Sequence, residues 1–174
     1  FQGIFGNVYA VAINVVDIGQ GLLGTGPSPF AAAGIFADDD IILVTGTNAT
    51  ISGVIIAANI DTTARTTIGT ENPTGLQNPV FGLNNVTLTN GRFDEAYMAS
   101  VPLDDFWQSG RVRDVNYWSG QVRLIRGVNS DLFGSFIRGI AVVEVNITGG
   151  AYDGTFVAAS ANIGTVNADQ FRNS

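Results

Sequence analysis

The feature that most constrains this chain is its punctuation. Short runs rich in Val, Ile and Thr recur along it, separated by Gly, Asn, Asp and Pro, and no stretch sustains a helical period. Residues 8–16 are apolar on both faces, which suits a strand buried on both sides. Ile41–Thr45 and Ile51–Ile60 are β-branched runs around Gly46-Thr47-Asn48, a hairpin signal. Val86–Thr89 runs into Asn90-Gly91, the strongest short hairpin turn, and Arg92–Met98 returns. Val112–Trp118 and Gln121–Arg126 flank Ser119-Gly120, and Phe136–Thr148 and Thr155–Val166 are joined near Asp153-Gly154. The polar stretch 61–80 reads as a long loop.

These signals predict an all-β chain of about nine to eleven strands and no helix. The expected architecture is a single-domain antiparallel β-sandwich, jelly-roll or Ig-like, with a closed β-barrel as the alternative. Residues 1–18 form an apolar amino-terminal strand, open to exchange between subunits, and 19–174 a single β domain. The three Asn-x-Thr segments look alike but are spaced 37 and 61 residues apart, an irregularity that argues against a regular β-helix.

Composition then narrows the chemistry. The 174 residues are 45% apolar and only 13% charged, against about 25% charged in ordinary globular proteins. There is no Lys, His or Cys, so a Ser-His-Asp triad, a Cys nucleophile, a Schiff-base Lys and a Cys/His metal site are all excluded. The expectation is that the chain is not an enzyme and carries no cofactor. A net charge of −7 disfavours nucleic acid as a partner. The stretch 18–37 is uncharged, but it holds five Gly and two Pro, and so predicts no membrane span. The chain begins at Phe1 rather than Met, which fits a processed secretory precursor; Phe1-Gln2-Gly3 equally matches the end of a protease-tag site.

Four groups of residues are candidates for function. Asp38, Asp39 and Asp40, with Asp104 and Asp105, offer the oxygens that Ca²⁺ requires, although neither run matches an EF-hand loop. Trp107, Tyr117 and Trp118 could stack on sugar rings or a small hydrophobic ligand, with Gln108, Asn116 and Gln121 as hydrogen-bonding neighbours; core packing is the favoured explanation, because a charge-poor chain needs large core residues. Residues 106–140 carry a net +3 through Arg111, Arg113, Arg123, Arg126 and Arg138, whereas the remainder carries −10. That bipolarity suits contact between copies of the chain. The apolar positions Ile4, Val8, Ala10, Ala12 and Val16 would join these arginines in a subunit interface. Asn48, Asn85 and Asn146 are glycosylation acceptors if the protein is secreted.

The leading expectation is a structural subunit of an extracellular or cell-surface polymer, a filament or pilus-like fibre built by donor-strand exchange. The alternatives are a secreted barrel or sandwich binding a carbohydrate or small hydrophobic ligand, and a viral capsid or surface-layer protein.

Overall fold

The computed structural model describes residues 3–4, 7–23, 34–38, 40–58, 81–100 and 120–173. They contain fifteen strands and no helix. The all-β expectation therefore meets an unexpected arrangement: every strand pairing is parallel. The strands join into one sheet that curls into a nearly closed barrel around a single core, not an antiparallel sandwich of two sheets.

The winding is that of a solenoid, in which the partner of most strands lies three places later in the chain. The first face stacks β1 (Gly3–Ile4), β4 (Leu22–Leu23), β7 (Thr50–Ser52), β10 (Arg92–Asp94) and β13 (Asp131–Phe133). The second stacks β2 (Asn7–Ala10), β5 (Gly34–Ala37), β8 (Ile55–Ala58) and β11 (Tyr97–Ser100). The third stacks β3 (Ile13–Asp17), β6 (Ile41–Thr47), β9 (Phe81–Thr89) and β12 (Gln121–Val128). β14 (Phe136–Asp153) and β15 (Phe156–Arg172) each turn the corners and contribute to all three faces.

Inward side chains align in columns across the coils. One runs Ile41, Leu83, Val122, Val142; another runs Ile51, Phe93, Leu132, Tyr152. Almost all are fully buried. Each buried apolar side chain is worth roughly 1.5–3 kcal/mol, so the stacked columns hold the coils together.

The predicted hairpin turns at Asn48, Asn90-Gly91 and Asp153-Gly154 are coil corners, while Val112–Ser119 of the other predicted hairpin lies outside the described residues. Asn-Gly closes a two-residue hairpin only if both residues take positive φ. Here Asn90 does (φ 51°), and Gly91 serves a different need: a Cβ on it would strike the carbonyl oxygen of Ala49 on the preceding coil. Gly19, Asn48, Asn129 and Gly149 occupy the same left-handed corner on other coils. A second left-handed corner follows the first face, at Gly53, Glu95, Gly134 and Gly154. Corner amides bond to the next coil: Asn48 N–H donates to Thr89 O (2.8 Å) and Asn90 N–H to Val128 O (2.8 Å). Buried hydroxyls complete the corners. Ser130 Oγ accepts from Gly91 N–H (3.0 Å), and Ser135 Oγ accepts from Ala96 N–H (3.1 Å).

The third corner, between the second and third faces, varies most in length. The chain leaves it at Ala58 and returns at Phe81; one coil later it leaves at Ser100 and returns at Gly120. Gly120 N–H donates to Ser100 O (3.1 Å), closing that excursion at its base. These excursions stretch the coil from about 20 residues to 42 and 39, which is why spacing along the sequence hides the repeat.

Candidate assembly surface

Both end coils have one unpaired strand edge among the described residues: at the first, β1, β2 and β3 pair only with β4, β5 and β6. Among the described residues, β15 pairs only with β14, so its other edge is open. Ile163 stacks on Val142, Val166 on Val145, Ala168 on Ile147 and Phe171 on Tyr152, so all four extend the inward columns. With no described coil above them, Ile163 is 46% exposed and Phe171 52%. The Phe171 ring lies 5.4 Å from that of Tyr152, and burial pushes the Tyr152 hydroxyl above its ordinary pKa of 10.0. Phe156, facing outward on the second face, is also exposed. An open parallel edge and the end of an apolar core thus coincide.

The opposite end is not its mirror image. Ile13, Val16 and Ile18 of the first coil are each less than a tenth exposed. Val8 and Ala10 are half-buried and pack against the chain's own core. Of the positions expected at a subunit interface, Val8, Ala10 and Val16 thus contact this chain's interior, Ala12 is exposed at a corner, and Ile4 lies in β1. The large exposed apolar side chains near this end are Tyr9, Val11 and Val15.

The arginines do not share one face. Arg123 and Arg126 are exposed on the third face, whereas Arg138 is buried on the second. Arg111 and Arg113 lie outside the described residues, as do Trp107, Gln108, Asn116, Tyr117, Trp118, Asp39, Asp104 and Asp105. Asp38 accepts a hydrogen bond from the Tyr9 hydroxyl, and Asp40 directly precedes β6. No group of three or more metal-ligating side chains occurs among the described residues. Of the glycosylation candidates, Asn48 is exposed at its corner. Asn85 accepts from the Thr87 hydroxyl (2.6 Å), and Asn146 donates to the Glu144 carboxylate (3.1 Å); both are half-buried on the third face.

A shallow groove of about 500 Å³ runs beside the last coils, lined by Asp131, Gly149, Gly150, Ala151, Asp169, Gln170 and Arg172. Its carboxylates already serve the backbone: Asp131 accepts from Ala151 N–H (2.9 Å) and Asp169 from Gly149 N–H (2.6 Å). On the first face, Arg92 pairs with Asp94 (3.1 Å) and lies over the Phe133 ring (4.7 Å). Sequence reasoning singled out neither the open edge nor this cluster. The signal that could have found both is the recurring spacing of corner, inward residue and corner in Asn90-Phe93-Glu95 and Asn129-Leu132-Gly134.

No described helix is long and apolar enough to cross a membrane. Searches against family models, curated proteins and solved structures find no match to this chain.

Proposed function

We propose that the protein is a structural subunit of an extracellular self-assembling polymer, joined through the ends of its solenoid. The observation that carries this reading is that, among the described residues, β15 is unpaired on one edge, where Ile163 and Phe171 continue the core columns to an exposed end. Unpaired strand edges template further pairing, and exposed apolar core ends favour burial against a partner. A polymer needs two contacts per subunit. Exposed Tyr9, Val11 and Val15 offer the second, at the other end. Two self-complementary contacts at opposite ends build an open line of subunits.

The native mass and shape test this, by light scattering and negative-stain microscopy at neutral pH. Elongated assemblies well above the 18.2 kDa chain are expected. A particle that stays at 18.2 kDa at every concentration overturns the reading.

A second reading, binding of a carbohydrate or small hydrophobic ligand, draws on one observation. The segment holding Trp107, Tyr117 and Trp118 starts and ends at Ser100 and Gly120, one coil from the Ala58–Phe81 excursion at the same corner. In repeat proteins, insertions collected on one side often form the binding face. A shift in Trp fluorescence on adding sugars or apolar ligands would support it.

A further inference from the structure

We infer that the outer side of the second face is the docking surface for the chain's own segment 101–119, which lies outside the described residues. Such docking stands apart from self-assembly and needs no second copy. The second face is buried on both of its sides. Ile35, Ile56, Met98 and Ile137 point inward and fill the core. The residues alternating with them point away from it. Yet Ile55, Ala57 and Ala99 are 5%, 1% and 0% exposed without belonging to the core, and Arg138 is 4% exposed. Ala57, Ala99 and Arg138 stand in register on neighbouring strands. Beside them the rings of Tyr97 and Phe136 stack, 5.5 Å apart. On a sheet surface open to water, an arginine keeps its guanidinium in the solvent. Here it is covered.

Position and charge name the occupant. The chain leaves this face at Ser100, next to Ala99, and returns at Gly120. Gly120 N–H donates to Ser100 O (3.1 Å), and Ile140 N–H donates to Gly120 O (3.0 Å). A Cβ on Gly139 would come within 3.1 Å of that same Gly120 oxygen. Both ends of the segment are therefore fixed within two residues of the row that holds Arg138. The row from Arg138 to Ala57 spans only about 10 Å, at about 4.8 Å per strand, a distance three or four extended residues cover. The strands β2, β5, β8 and β11, with residues 136–140 and 156–159, contain no Asp or Glu. A buried guanidinium requires a carboxylate or a set of carbonyl oxygens. Asp104 and Asp105 follow Ser100 by four and five residues, near enough to turn back over Ala99 and meet it. The other long excursion leaves at Ala58, one strand further from Arg138.

The chain has no cysteine, so single cysteines report burial cleanly. In the full chain, Ala99→Cys is expected to react with a small thiol reagent at least about tenfold more slowly than the exposed Thr47→Cys, because reaction awaits local opening. Replacing 101–119 by a Gly-Ser linker is expected to bring Ala99→Cys to the rate of Thr47→Cys, while Ala58→Cys, at an inward position, stays protected. A thiol that reacts freely in the full chain overturns the docked face. Protection that survives the replacement also overturns the inference: loss on dilution then assigns the face to a second copy, and loss on replacing 59–80 assigns it to that segment. A second measurement needs no deletion. Asp104→Asn with Asp105→Asn is expected to lower the urea midpoint of the parent and to leave that of Arg138→Met nearly unchanged. Equal losses in both backgrounds overturn the pairing of this segment with Arg138.

Discussion

The side-chain amide of Asn129 donates to the amide oxygen of Asn90, 3.1 Å away across neighbouring coils and 39 residues apart in the chain. Both residues hold left-handed backbone conformations, with φ of 49° and 51°. The pair therefore does two jobs at one corner: it tolerates the turn and ties one coil to the next. Asn129→Ala is expected to cost about 2 kcal/mol, roughly half from the left-handed conformation and half from the lost hydrogen bond. Asn129→Gly should cost only about 1 kcal/mol, because glycine tolerates the turn. Urea unfolding of both variants separates the contributions. Equal losses would show that the left-handed conformation costs alanine nothing, and no loss in Asn129→Gly that the amide ladder contributes nothing.

At the same corner, Gly91 has no room for a methyl group against the carbonyl of Ala49. Gly91→Ala should destabilise by about 1–3 kcal/mol through overpacking. Glu95 is the opposite case, a long side chain in a left-handed corner that Gly53, Gly134 and Gly154 occupy on other coils. Glu95→Gly should therefore be neutral or stabilising by up to about 1 kcal/mol. Thermal midpoints of the two variants should move apart, and a shared downward shift would contradict the corner assignment.

Phe93 and Phe133 lie on the same face of neighbouring coils, yet one points in and the other out. Phe93→Ala should cost about 3–5 kcal/mol, since it empties a column with no exposed surface. Phe133→Ala should cost less than about 1 kcal/mol, the value of an exposed cation–π contact with Arg92. Chemical denaturation gives both values, and similar losses would mean that the facing of the first sheet is wrong.

Burial raises the pKa of Tyr152 above 10.0, so the folded chain holds that proton more tightly than the unfolded chain. The resulting stability is complete below pH 10.0 and declines as pH rises from there through the raised value. Tyr152→Phe should flatten this alkaline decline while leaving behaviour at neutral pH nearly unchanged. Stability measured from neutral to strongly alkaline pH checks it; an equal decline in both proteins would assign the effect elsewhere.

Much of the strand content was legible, because β-branched runs mark strands wherever they pair. The pairing was not. Asn90-Gly91 and Asp153-Gly154 are as suitable for a coil corner as for a hairpin, since both exploit residues that tolerate left-handed backbone. The third face also breaks simple alternation. Ile41 and Val44 point inward, with Ile42 exposed and Leu43 half-buried between them; Val122 and Ile125 repeat this around Arg123 and Leu124. A two-residue period therefore misassigns half of each strand. The three glycosylation motifs were poor landmarks for a repeat, because Asn48 sits at a corner whereas Asn85 and Asn146 lie on a face. The open edge was least legible of all. Ile163 falls within the expected strand Thr155–Val166 and Phe171 beyond it, and local pattern does not reveal that no described coil covers them.

The unequal third corner also governs how such a chain can change. Neighbouring coils accept excursions there of very different length, while the parallel register on either side is kept. Lengthening a closed loop is inexpensive, about 0.6 kcal/mol for each doubling. Mutation can therefore rewrite that corner while the corner asparagines and inward columns stay fixed. The molecule behaves as a rack with interchangeable fittings, and a foreign peptide grafted between Ala58 and Phe81 should be displayed without disturbing the coils that carry it.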